Sequence, residues 1–277
     1  MSSVIFAFLL TLFAGLSTGI GSLIALLSKK TNTRFLAVSL GFSAGVMIYV
    51  SMIEIFVKAK DSLTVALGSV GGSWVTVAGF FAGMFLIAII DKIIPSEENP
   101  HEIKSVECFI NEKGERICQE VKKTDSKKKL LRTGLFTALA IGIHNFPEGL
   151  ATFISGMQET SIAIPIAVAI AIHNIPEGVA VSVPVFYSTG SKKKAFLYSF
   201  LSGLSEPIGA IVGYTILLPF INDLTFGIIF AMVAGIMVFI SLDELLPSAQ
   251  EYGEHHLSIY GLIAGMIVMA ISLLLFI

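Results

Sequence analysis

Eight apolar runs, near 4–27, 35–57, 74–94, 133–156, 161–187, 195–219, 225–247 and 256–277, constrain this chain more than any other feature. Each is long enough to cross the roughly 30 Å hydrocarbon core of a bilayer, which takes about 20 residues of helix. In lipid every backbone N–H and C=O must be satisfied internally, so runs of this length predict helices. With 14% of residues charged and a mean hydropathy of +0.85, the chain lies far from a soluble domain, where about 25% is usual. The first run lacks the basic leader and small-residue cleavage site of a signal peptide and counts as a span. Cys108 and Cys118 both fall in the one long polar segment, so no disulfide framework is expected.

The distribution of charge orients the runs. Eight spans leave both termini on one side, and 16 of the 18 Lys and Arg residues then fall on the other, in Lys29–Arg34, Lys92–Arg132 and Lys192–Lys194. The positive-inside rule places that side in the cytoplasm and both termini outside, across the cell membrane. The expected fold is an all-α integral membrane protein of about eight transmembrane helices in one membrane domain. Residues 1–94 carry spans 1–3, residues 95–131 form a cytoplasmic loop and residues 132–277 carry spans 4–8. The Lys-rich part of the loop reads as an anchor against anionic lipid, and no nucleic-acid partner is expected. Its segment ECFINEKGERICQE predicts a short hairpin turning at NEKG, with one register setting Cys108 opposite Cys118. Two reduced thiols are the reading there, a thiol metal trap the alternative.

An internal repeat runs through the spans. AGVMIYVSMIE from Ala44 aligns without gaps with AGIMVFISLDE from Ala234, GLSTGIG from Gly15 with GLSEPIG from Gly203, and GFFAGMFLIA from Gly79 with GLIAGMIVMA from Gly261. Spans 1–3 and 6–8 run in opposite directions in this topology, so the repeat is inverted around spans 4 and 5, an arrangement common in secondary transporters. No Walker-type nucleotide loop is present to power a pump. The repeat also pairs Glu54, near the outer end of span 2, with Glu244, near the inner end of span 7. These two, with Asp243, are expected to mark opposite mouths of one path, although helix-end carboxylates near headgroups are as good a reading.

The chemistry sits in spans 4 to 6. Span 4 carries IGIHNFPEGLA and span 5 IAIHNIPEGVA, and each buried charge costs roughly 2.5 to 3.5 kcal/mol on insertion scales. His144 and Glu148 are four apart, as are His173 and Glu177, which stacks each pair on one helix face. Asn145 and Asn174 add an amide oxygen nearby. His144, His173 and Glu206 each lie about 11 to 12 residues into their spans, roughly 17 Å deep at 1.5 Å per residue. Glu148, Glu177 and Glu206 therefore share one level with no Lys or Arg in a helix interior to offset them. Protons alone could neutralise them, but imidazole, carboxylate and amide oxygen together suit borderline divalent ions such as zinc, iron or manganese. Pro147, Pro176 and Pro207 each delete a backbone donor and free the carbonyl four residues earlier.

The doubled HNFPEG and HNIPEG motifs, followed by GLSEPIG, resemble the ZIP family of metal transporters, in its bacterial zinc-transporter type, over the whole chain. The resemblance implies import of zinc, and often of iron, manganese, cobalt or cadmium, through a centre that binds two ions. Carried over, that centre uses His144, Asn145, Glu148, His173, Asn174, Glu177 and Glu206, with Glu148 and Glu177 bridging. The metal is the transported substrate, no cofactor is implied, and a homodimer is. A further ligand from span 2 is implied among Ser51, Met52 and Glu54. The loop departs from relatives that carry a His-rich run, having only His101. The rival readings are a passive metal channel and an intramembrane metalloenzyme; the second lacks the HExxH arrangement it would need.

Overall fold

The computed structural model describes residues 3–27, 33–93, 106–110, 116–120, 126–158, 160–220, 222–252 and 255–274. The chain is an all-α membrane protein with one small hairpin between α3 and α4. Its helices are α1 (Ser3–Leu27), α2 (Thr33–Val50), α3 (Phe56–Ile93), α4 (Ser126–Gln158), α5 (Thr160–Thr189), α6 (Lys192–Gly203), α7 (Ser205–Val212), α8 (Asp223–Ile240), α9 (Leu246–Tyr252) and α10 (His255–Leu274). Among the described residues six stretches are long and apolar enough to cross a membrane: Ser3–Leu27, Arg34–Ile90, Ala163–Val183, Lys192–Ile216, Asp223–Gln250 and His255–Leu274.

The Arg34–Ile90 stretch is not one rod. A turn of π-helix at Ser51–Ile55 joins α2 to α3, and α3 is broken at Gly68, where φ is +76°. Only glycine adopts that angle without strain. The chain doubles back there, so a Cβ on Gly72 would meet the backbone of Leu63 and Thr64. The segment near 58–73, expected as a loop between spans, is therefore helical up to a single reversing residue. The sixth expected span is likewise divided: α6 ends at Gly203, Leu204 joins it to α7, and Pro207 falls in the first turn of α7, where a missing N–H costs no helix bond. Pro147 sits inside α4.

Packing is inside-out relative to a soluble protein. On α1 the exposed residues include Ile5, Leu9, Phe13, Leu16 and Ile20, whereas Thr11, Ser17, Thr18 and Ser22 are buried. Hydrocarbon solvates the apolar face as well as another helix does, so small residues that admit close backbone contact decide the interfaces. α2 packs along α10, α3 along α8, α1 along α5, and α4 against α5 and α7. The glycine contacts within these pairs repeat. A Cβ on Gly45 would strike the Leu262 carbonyl, and one on Gly235 the Phe80 carbonyl; Gly83 faces the Met232 carbonyl as Gly265 faces that of Phe42. The repeat read from the sequence makes these the same contacts twice over, because it aligns Gly45 with Gly235, Phe80 with Leu262, Gly83 with Gly265 and Phe42 with Met232. A second turn of π-helix, Ser241–Leu245, starts at the residue that the repeat aligns with Ser51, where the first one starts.

Between α3 and α4, β1 (Val106–Ile110) pairs antiparallel with β2 (Arg116–Glu120), and the register sets Cys108 opposite Cys118 as the sequence expectation had it. The NEKG turn itself lies outside the described residues.

Candidate metal centre

The polar motifs of α4 and α5 meet α7 at the centre of the bundle. Asn145, Glu148, His173, Asn174, Glu177 and Glu206 are all 0% exposed. His144 lies on α4, and its side chain is outside what the structure describes. Glycine brings the three helices together. The carbonyl of Glu206 approaches α4 where a Cβ on Gly149 would stand, and that of Phe146 approaches α7 at Gly209. On the other flank of α5, the carbonyl of Thr18 occupies the corresponding place at Gly178, and that of Ile175 the place at Gly21.

Side-chain contacts cross between helices. His173 Nε2 lies 3.3 Å from Glu148 Oε2, which links α5 to α4. Asn174 Nδ2 donates to Glu206 Oε1 and, at 2.9 Å, to the Ala14 carbonyl, tying α5 to α7 and α1. Glu148 and Glu177 both lie near enough to Glu206 to act on it electrostatically. Between Arg132 and Lys192, and again after Lys194, the chain has no Lys or Arg.

Three buried oxygens in this cluster, Glu148 Oε1, Glu206 Oε2 and Asn174 Oδ1, accept no hydrogen bond from the protein. Buried acceptors without donors are costly, and a carboxylate most of all. The donor set of carboxylate, amide oxygen and imidazole suits a borderline divalent cation. Among the described residues no three acid, imidazole or thiol groups already enclose an ion, while His173 meets Glu148 and Asn174 meets Glu206. Hydroxyls donate to backbone carbonyls of the motif-bearing helices, Thr152 within its own helix. Ser43 donates to the His173 carbonyl at 3.2 Å, Thr152 to that of Glu148 at 2.9 Å and Ser199 to that of Gly178 at 3.2 Å.

The expected path residues lie elsewhere. Met52 is 40% exposed on the outer face and is not brought to the cluster. Glu54 and Asp243 are half-buried and Glu244 is buried, all three within the two matched π-helical turns. Sequence reasoning missed Ser43 and Thr18. Ser43 carried no signal, because a serine in an apolar helix ordinarily bonds its own backbone. Thr18 did carry one, since it aligns with Glu206 in the repeat.

Known proteins resemble this chain along nearly its whole length. A family model described as ZIP Zinc transporter matches residues 94–273. The chain is 68% identical to Zinc transporter ZupT of Clostridium perfringens, with 100% of this chain and 98% of that protein covered. It is 67% identical to Zinc transporter ZupT of Streptococcus mutans, covering 98% and 97%, and 62% identical to Zinc transporter ZupT of Lysinibacillus sphaericus, covering 99% and 98%.

Proposed function

This chain belongs to the ZIP zinc transporter family, a family of membrane transporters and not of enzymes, and from that membership we propose that it imports zinc across the cell membrane into the cytosol. The observation that carries the reading is the buried cluster of Asn145, Glu148, His173, Asn174, Glu177 and Glu206, with no lysine or arginine buried among the described residues. Three carboxylates at one depth need a mobile positive charge, and a divalent ion with imidazole and amide ligands satisfies them best. Iron, manganese, cobalt and cadmium share enough of that ligand preference to follow zinc through the same centre. His144 completes the imidazole pair, and the duplicated motif gives room for two ions bridged by Glu148 and Glu177.

Eight spans in an inverted repeat, with both termini outside, supply the alternating access such an import needs. The glycine contacts that recur between matched positions and the paired π-helical turns support that symmetry. Glu54 outside and Asp243 with Glu244 inside then flank the route.

The test is flux of zinc, iron, manganese, cobalt and cadmium into proteoliposomes holding the purified protein. Saturable, steeply temperature-dependent zinc entry supports the carrier; entry linear in zinc concentration supports a passive channel; no entry of any of these metals overturns the proposal.

A further inference from the structure

The glycine contacts sort the helices. Gly21 and Gly149 meet backbone within the set α1, α4, α5, α6 and α7, whereas Gly83 and Gly261 meet it within the set α2, α3, α8 and α10. Among the described residues every close approach of a glycine to another helix stays inside one of these sets. The buried polar residues of the candidate centre all belong to the first set, on α4, α5 and α7. Across the seam α2 packs on α5, and there side chains, not bare backbone, make the contact.

The face that α2 turns to this seam follows from its sequence. Gly41 and Gly45 seat α2 on the Ser258 and Leu262 carbonyls of α10. Ser43 lies two residues from each, which at 3.6 residues per turn puts it on the opposite face. Leu36, Leu40, Met47 and Val50 share that face with Ser43 at spacings of three, four and seven, and all five are buried. The stripe is aliphatic except for one hydroxyl. Helical serines usually bond the carbonyl three or four residues earlier, as Ser241 does to Met237. The Ser43 hydroxyl crosses the seam instead and donates to the His173 carbonyl at 3.2 Å. The imidazole of that same residue meets Glu148.

We propose that Ser43 is a positioning residue, a latch that holds the metal-bearing helices at one setting against α2 and so sets the balance between the outward- and inward-accessible states. Aliphatic contact has no direction and is satisfied at neighbouring settings, whereas a hydrogen bond is made at one. Moving α5 along α2 therefore breaks the Ser43 bond while the Leu, Met and Val contacts re-form. An interhelical hydrogen bond in a membrane protein shifts such an equilibrium by about threefold to tenfold. The latch acts through the backbone of His173 and gives no atom to the ion, so its loss changes how often the states exchange and leaves the strength of ion binding alone.

This inference rests on the import reading, and the experiment separates the two. In full-length protein with Cys108 and Cys118 changed to Ser, labelling rates of Glu54→Cys and Glu244→Cys are measured in proteoliposomes without metal, with and without Ser43→Ala. Losing the latch is expected to raise one rate and lower the other, each by about threefold or more, and Ser43→Thr, which keeps the hydroxyl, stays at the wild-type balance. Zinc exchange across the membrane is expected to speed up by a similar factor in Ser43→Ala, with calorimetric zinc affinity within about twofold of wild type. Unchanged labelling rates, rates that move in the same direction, or zinc affinity that falls with the hydroxyl overturn the latch. A merely structural serine would loosen both positions alike. Failure of the import reading has its own signature, wild-type proteoliposomes that carry no zinc, and the metal-free labelling balance still decides the role of Ser43 in that case.

Discussion

His173 Nε2 lies 3.3 Å from Glu148 Oε2, so an imidazole of α5 meets a carboxylate of α4 with both side chains shut off from solvent. The HNxPEG spacing stacks each His above the Glu of its own helix, whereas this pair joins the two copies of the motif. A cation held at this level would touch both helices at once, and under the proposed function its passage would be coupled to how they sit against each other.

The carboxylates are the first test. Glu148→Ala and Glu177→Ala are each expected to reduce zinc uptake at least about a hundredfold at unchanged expression, since the ion loses a charge and a ligand where water does not replace them. Near wild-type flux in both variants refutes the site. Glu148→Gln keeps the shape and isolates the charge.

The imidazoles tune selectivity more than they supply charge. His173→Ala and His144→Ala are expected to depress zinc uptake about tenfold while sparing manganese, which prefers oxygen ligands. Competition uptake with zinc, iron and manganese reads the order, and an unchanged order removes both residues from the ligand set.

Acid is expected to oppose zinc. Metal ligands bind in their deprotonated forms, so protons and zinc compete for the same carboxylate oxygens and imidazole nitrogens. The sign follows directly: affinity falls as pH falls, most steeply across roughly pH 7.5 to 5.5, where an ordinary imidazole gains its proton. Zinc titrations of the purified protein at several pH values check it; a flat profile over that window counts against imidazole ligation.

The bundle tests the glycine contacts independently of transport. Gly83→Ala and Gly265→Ala place a methyl group against the Met232 and Phe42 carbonyls, and each is expected to lower stability by about 1–3 kcal/mol. At Gly71 a Cβ meets only the Leu67 Cβ at 3.4 Å, so Gly71→Ala is expected to be neutral or stabilising by up to about 1 kcal/mol. Thermal denaturation in detergent measures all three, and equal effects would mean that backbone contact does not govern the interfaces.

Cysteine labelling tests the orientation. In a background with Cys108 and Cys118 changed to Ser, Glu54→Cys is expected to react with an impermeant thiol reagent from outside and Glu244→Cys only from the cytosolic side. Zinc is expected to protect both positions. Labelling of both from one face contradicts the inverted repeat and the path together.

By itself the sequence determined the all-α membrane class and the motif-bearing residues, because apolar length and the cost of intramembrane charge are local properties of the chain. It also carries the paired motifs around Gly45 and Gly235 and around Gly83 and Gly265, and these glycines make matching backbone contacts. Tertiary structure alone decided that His173 pairs with Glu148, that Asn174 bridges Glu206 and Ala14, and that Met52 faces outward while the Thr18 hydroxyl is left without a partner. Those outcomes depend on how helices rotate and how closely their backbones approach. Carbonyl contacts at Gly149 and Gly178 set that approach, and a one-dimensional pattern of apolar residues carries no record of it. The reversal at Gly68 and the two π-helical turns escaped the sequence for a related reason: a glycine or serine inside an apolar helix looks the same whether the helix continues or breaks.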